Sequence, residues 1–113
     1  MDNKETLVNI IIPTRDRLQT LIYTLQSVLE DKYENMKVIV VDNASSDKTK
    51  DYIKKIKDKR VSYFNTNKTI SMSHNWEFAL QKVSEGYVTI LGSDDGHIPG
   101  ACSILNDIVK KYN

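Results

Sequence analysis

Val38-Ile39-Val40-Val41, followed at once by Asp42-Asn43-Ala44-Ser45-Ser46-Asp47, is the stretch that decides the fold. Four β-branched residues in unbroken apolar succession suit a strand covered on both faces, the condition of a parallel sheet between helix layers. The acid and small polar residues behind it mark the strand's end and a turn into a helix.

Working outward, Val8-Asn9-Ile10-Ile11-Ile12 has the same nearly continuous apolarity, and two weaker runs complete a set of four strands. The predicted strands are Val8–Ile12, Lys37–Val41, Val61–Phe64 and Tyr87–Leu91. Helical periodicity fills each gap. Leu18, Leu21, Ile22, Leu25, Val28 and Leu29 form one apolar stripe, with Asp16 as the expected N-cap. Tyr52, Ile53 and Ile56 form a second, capped by Ser45 or Ser46, with Asp47 near the positive end of the helix dipole. Met72, Trp76, Ala79, Leu80 and Val83 form a third, which Gly86 can close in a left-handed turn. Ile104, Leu105, Ile108 and Val109 form a fourth, with Pro99 in its first turn. The pattern predicts one α/β domain over residues 1–113: a Rossmann-like, doubly wound open sheet, mainly parallel, of four βα units joined by right-handed crossovers.

With sixteen basic and fifteen acidic residues among 113, the chain has no field that would favour nucleic acid or a charged membrane. The lone Cys102 cannot form an internal disulfide, favours a reducing compartment, and reads as a small buried hydrophobe. The polar Met1–Thr6 segment and an apolar run ending at Pro13 are too short for a signal sequence or membrane span. The expected location is cytoplasmic, with the inner face of the membrane as the alternative, although these residues show no anchor. A length of 113 residues suits one sheet-and-helix core but is short for a complete two-substrate enzyme.

Open α/β sheets bind ligands at the carboxyl ends of their strands, near the point where strand order reverses. The segments there are Pro13-Thr14-Arg15-Asp16-Arg17, Asp42 to Asp47, Asn65-Thr66-Asn67-Lys68 and Gly92-Ser93-Asp94-Asp95-Gly96. Asp94 and Asp95 are adjacent carboxylates whose mutual repulsion a hard divalent cation would relieve, Mn²⁺ or Mg²⁺ shared with phosphate oxygens. The plain alternative is an Asp/Gly turn. Asp42 can accept a hydrogen bond from a ribose or a base N–H, whereas helix capping accounts for Ser46 and Asp47. Neither a G-x-G-x-x-G loop nor a Walker loop follows the first strand, so a dinucleotide or P-loop site is disfavoured.

Ile10-Ile-Ile-Pro-Thr-Arg-Asp-Arg17, Val40-Val-Asp-Asn-Ala-Ser-Ser-Asp-Lys-Thr49, Ser73-His-Asn-Trp-Glu-Phe-Ala-Leu80 and Ile90-Leu-Gly-Ser-Asp-Asp95 occur in that order. Together they resemble the N-terminal half of the family-2 glycosyltransferases, which have the GT-A fold. The resemblance implies a donor site for a nucleotide sugar, commonly a UDP-sugar. Pro13 and Thr14 match the turn beside the nucleotide, Asp42 the acid that reads the base, and Asn75 the asparagine near the pyrophosphate. Arg15, Asn43 and Asp94 complete the implied donor-binding set, while Asp95 and Asp94 match the D-x-D-type metal motif. Departures are His74 where an arginine is frequent, Arg15-Asp16 in place of Tyr-Asn, and Gly92 or Ser93 in place of the motif's leading acid.

The implied reaction is inverting transfer of the sugar to a hydroxyl of a glycan, lipid or protein, in the context of cell-envelope polysaccharide biosynthesis. The resemblance puts the catalytic base C-terminal to this chain, so none is assigned. A non-catalytic sugar-nucleotide module is the rival reading, and a receiver-type signalling domain fits the acid positions poorly. His97 reads as a solvated neighbour rather than a metal ligand, Lys54–Arg60 as a solvated basic face, and Trp76 as core rather than a sugar-stacking platform. Asn65 and Asn67 read as terminators of the third strand.

Overall fold

The computed structural model describes residues 6–93, 96 and 100–112. Asp94, Asp95, His97 and Pro99 therefore lie outside the described residues. The elements alternate as β1 (Val8–Thr14), α1 (Leu18–Leu29), β2 (Met36–Asp42), α2 (Thr49–Lys54), β3 (Val61–Asn65), α3 (Met72–Leu80), β4 (Tyr87–Ile90) and α4 (Ala101–Tyr112). All strand pairings are parallel, and the spatial order is β3-β2-β1-β4. The chain thus steps one way from β1 through β2 to β3, then crosses back to the far side of β1. The topological switch falls between β1 and β4, as the doubly wound reading requires.

Residue parity along the strands divides the core in two. Val8, Ile10, Ile12, Val38 and Val40 pack with Leu21, Leu25, Val28, Ile53 and Cys102, beneath α1, α2 and α4. Ile11, Ile39 and Val41 pack with Ala79, Phe78, Phe64 and Val83, beneath α3. Each fully buried aliphatic side chain contributes roughly 1.5–3 kcal/mol, so the unbroken apolar runs of β1 and β2 carry most of the sheet's stability. Asn9 breaks the run of β1 yet is fully buried. Its Nδ2 donates to the carbonyls of Glu85 (2.8 Å) and Tyr87 (3.1 Å), pinning the start of β4.

Both central strands run one or two residues further than the apolar pattern indicates: Pro13 pairs with Val41, and Thr14 with Asp42. Pro13 lies beyond Ile11, the last β1 residue paired with β4, so its missing N–H forfeits no ladder bond on that side.

Several local expectations are corrected. Asp16 does not cap α1, and neither Ser45 nor Ser46 caps α2; the N-cap positions are Arg17 and Lys48, without side-chain caps of their own. Asp47 serves both helices: the Leu18 N–H donates in trans to its Oδ2 (3.2 Å), and the Thr49 N–H donates locally to its Oδ1 (3.1 Å). Gly86 does not end α3, which stops at Leu80 with Gln81 as C-cap. It turns the chain into β4 with φ +92°, and a Cβ there would sit 2.7 Å from the Leu7 carbonyl oxygen.

The α3 stripe is also rotated from the expected one. Asn75, Phe78 and Ala79 face the sheet, whereas Met72, Trp76 and Leu80 are exposed. Phe78 takes the packing position three residues along from Asn75, which turns Trp76 out of the core. On α4 the inward residues are Cys102, Leu105 and Asn106, while Ile104 and Ile108 face solvent. Cys102 is buried as expected, and burial pushes its thiol up to about 11, which leaves it chemically inert at neutral pH.

The basic run before β3 is not uniformly solvated, because Arg60 is folded in. Its Nη1 donates to the carbonyls of Asp31 (2.6 Å) and Tyr33 (3.0 Å). Its Nη2 reaches the Leu29 carbonyl (3.0 Å) and Asp58 Oδ2 (2.9 Å). One guanidinium therefore satisfies the last carbonyl of α1 and the turn after it, groups that a helix end leaves orphaned.

Candidate functional site

The carboxyl ends of the strands share one structural device. Each of the first three loops holds a non-glycine residue in the left-handed region: Asp16 (φ 52°), Ala44 (φ 52°) and Asn67 (φ 65°). Such residues reverse the backbone within a few bonds, folding loop groups back over the strand ends. The loops after β1 and β2 then lock together. Asp16 N–H donates to Ser45 Oγ (2.8 Å), and the N–H groups of Ser46 (2.6 Å) and Asp47 (3.2 Å) donate to Asp16 Oδ1. The Ser46 and Asp47 N–H bonds hold the Asp16 carboxyl below the usual carboxylate range, although it is exposed to solvent.

Beside this clasp, at the β1/β4 switch, is a cleft of about 840 Å³, within the range of small-molecule sites. Pro13 and Thr14 at the end of β1 line it, with Arg15 and Arg17 from the following loop and Asn43 from the end of β2. Ile70, Ser71, Met72, Asn75 and Trp76 line it from the entry and first turns of α3. Ile90, Gly92 and Ser93 close it on the β4 side. The Ser93 carbonyl accepts from the buried Thr24 hydroxyl (3.0 Å), which fixes the chain just before Asp94.

Two polar atoms in this lining are buried without a hydrogen-bond partner: Thr14 Oγ1 and Asn75 Oδ1, on residues only 4% and 3% exposed. Buried polar groups are almost always paired, so two orphans on residues of one cleft leave a need that a bound water or a ligand group can meet. Asn43 is occupied otherwise. Its Nδ2 donates to the Ile70 carbonyl (2.7 Å) and its Oδ1 accepts from the Ile70 N–H (2.9 Å), docking the entry to α3 onto β2.

Asp42 lies below the cleft rather than on its surface. It is 1% exposed. Its Oδ1 accepts from the Ser45 N–H (2.9 Å) and its Oδ2 from the Tyr63 hydroxyl (2.6 Å), which in turn accepts from Asn65 Nδ2 (2.9 Å). Burial first, then the bond to Asp42, raises the Tyr63 phenol far above its ordinary range, so it stays a proton donor to the carboxylate. Asn65 closes β3 as expected, accepting from the Asn67 N–H (2.7 Å). His74 is exposed, and its backbone N–H donates to the N-cap oxygen of Ser71 (3.2 Å).

The structure thus brings together Pro13, Thr14, Arg15, Asn43 and Asn75 at one cleft, and sets Asp42 beneath it. Arg17, Ile70, Met72, Trp76 and Ile90 belong to the lining but were not expected there. Arg17 is legible as the second cation of the first loop, but Trp76 and Met72 have the same spacing as a core stripe. Among the described residues, no three His, Cys, Asp or Glu side chains cluster to hold a metal.

The sequence model of glycosyl transferase family 2 matches residues 9–113. The chain belongs to this family. One relative is the Escherichia coli UDP-Glc:alpha-D-GlcNAc-diphosphoundecaprenol beta-1,3-glucosyltransferase, 35% identical over 89 residues, covering 79% of this chain and 36% of that enzyme. The crystal structure of S. aureus TarS in complex with UDP-GlcNAc superposes with a TM-score of 0.85 at 18% identity, covering 94% of this chain and 32% of that one. The Pyrobaculum calidifontis mannosyltransferase PcManGT, in complex with GDP-Man and Mn²⁺, gives a TM-score of 0.79 at 20% identity, covering 98% and 34%. The two structures establish the shared GT-A-type fold. This family-2 chain spans about a third of the length of each of these proteins.

Proposed function

We propose that this family-2 chain forms the donor-binding part of an inverting glycosyltransferase that uses a nucleotide sugar, a UDP-sugar in the first instance. Thr14 and Asn75, whose Oγ1 and Oδ1 are orphaned, both line one cleft at the topological switch, and they carry the reading. Arg15 and Arg17 add two cations from the β1 loop, suited to the phosphates of such a donor. Asp42, braced by Tyr63, and Asn43, docked on Ile70, serve the site by fixing its walls. Transfer joins an acceptor oxygen to the anomeric carbon as the bond from that carbon to the diphosphate breaks, and the hydroxyl proton passes to a base. No base is assigned within this chain.

Two adjacent carboxylates at the end of β4, with diphosphate oxygens to complete the shell, are a donor set that fits Mn²⁺ or Mg²⁺. Asp95 and Asp94 would hold such an ion. Bound there, it would offset the negative charge developing on the leaving diphosphate. The manganese in the Pyrobaculum mannosyltransferase supports this assignment. The undecaprenyl-diphosphate acceptor named for the E. coli relative supports a lipid-linked glycan as acceptor, and with it cell-envelope polysaccharide synthesis at the cytoplasmic membrane face. No described helix is long and apolar enough to cross a membrane.

Calorimetric titration of UDP into the chain, with and without Mn²⁺, tests the proposal. Tighter binding with the metal is expected, lost in Asp95→Ala and weakened in Asn75→Ala. Equal affinity with or without metal, untouched by either substitution, refutes it.

A further inference from the structure

Trp76 is the sole tryptophan of the chain and lies outside both halves of the core, 39% exposed on the wall of the cleft. A tryptophan left half in water forfeits much of the stabilisation its large surface could provide. Met72 from the same helix and Ile90 at the end of β4 extend the apolar wall. The cleft is therefore lined unevenly. Its cations, Arg15 and Arg17, come from the β1 loop, whereas its apolar wall comes from α3 and the end of β4, the strand that leads into Asp94-Asp95.

Asn75, the residue preceding Trp76, contributes a buried carbonyl oxygen that lacks a donor. A sugar suits this wall: a C–H face to lie on an indole, and rim hydroxyls for the polar residues beside it, among them Thr14 and Asn75. Resting on the donor-site reading above, we propose that Trp76 is a specificity-determining residue whose indole lies against the sugar ring of the nucleotide-sugar donor. The phosphates are then left to the cationic loop.

Because Trp76 is the only indole, its emission reports this contact directly. The chain is titrated with UDP and with UDP-glucose, UDP-galactose and UDP-N-acetylglucosamine, each with Mn²⁺, following tryptophan fluorescence and, separately, calorimetry. At least one UDP-sugar is expected to change Trp76 emission well beyond the change with UDP. Trp76→Ala should weaken that UDP-sugar roughly tenfold while leaving UDP affinity within twofold, and Trp76→Phe should recover most of the loss. Thermal melts of both variants check that the fold is kept, and Trp76→Leu, which preserves apolar bulk, separates ring stacking from simple packing.

Equal weakening of UDP and UDP-sugar by Trp76→Ala overturns the proposal by placing the indole against the nucleotide. No effect on either overturns it by removing Trp76 from the site, while leaving the donor reading intact. Failure of the unsubstituted chain to bind any of these ligands sinks the donor reading and the Trp76 proposal with it.

Discussion

The two sides of the cleft are built from the same kinds of element but are secured very differently. On the β1/β2 side the strands are covered on both faces, with Ile10, Ile11, Val40 and Val41 fully excluded from water. The loops above them exchange hydrogen bonds through Asp16, Ser45, Ser46 and Asp47. On the β4 side all four strand residues are exposed, and α4 turns Ile104 and Ile108 outward. That side is held by the β1 pairing, by Asn9, by the Thr24 bond to Ser93, and by Leu91, Cys102 and Leu105 packed on the shared core. One wall of the cleft is therefore fixed by its own core, and the other leans on that core through one face of α4 and a few specific bonds.

Substitutions that probe the two sides should separate widely. Ile10→Ala empties a fully buried position and should cost about 3–4 kcal/mol in urea unfolding; a loss under about 1 kcal/mol would show that the β1/β2 core is not the stabilising half. Gly86→Ala should follow at about 2 kcal/mol, since φ +92° and the 2.7 Å approach to the Leu7 carbonyl both oppose a Cβ. Its damage should be concentrated at β4, read as faster amide exchange there than in β2.

Arg60→Ala, which removes the bonds to the carbonyls of Leu29, Asp31 and Tyr33, should cost about 1.5–2 kcal/mol, only partly restored by lysine. The bond from Arg60 also holds the Asp58 carboxyl below its usual range. A carboxylate with a depressed folded-state value adds stability that is complete above the unfolded value near ~3.9 and is lost as pH falls through the folded one. The Arg60→Ala penalty should accordingly shrink in acid, and a penalty independent of pH between neutral and about 2 would dismiss the pair. Smallest of all, Ile104→Ala should change stability by no more than about 0.5 kcal/mol. A cost comparable to that of Ile10→Ala would erase the contrast between the sides.

The loop clasp offers a local test of the same contrast. The amide resonances of Ser46 and Asp47 should titrate with Asp16 at a pH below the ordinary carboxylate value, and that transition should vanish in Asp16→Asn. Retention of the transition in the variant would assign it to another group.

The sequence alone determined the fold class, the approximate strand positions and the end of the sheet where a ligand is expected. Long β-branched runs have one low-energy use in a chain this size, and doubly wound sheets place their ligands at strand ends whatever the details. The resemblance to the family, rather than the residue pattern itself, pointed to Pro13, Thr14, Arg15, Asn43 and Asn75, which line one cleft in the structure. What a residue does there was decided only by tertiary structure. Asp16 and Asp47 stand where local caps belong, yet Asp16 binds the neighbouring loop and Asp47 serves the first N–H of both α1 and α2, since a left-handed turn swings each loop toward the other. Trp76 has the spacing of a core residue, but helical periodicity fixes only which residues share a face. Phe78 and Ala79 packing on Ile11, Ile39 and Val41 set the rotation of α3, and that rotation turned the indole into the cleft.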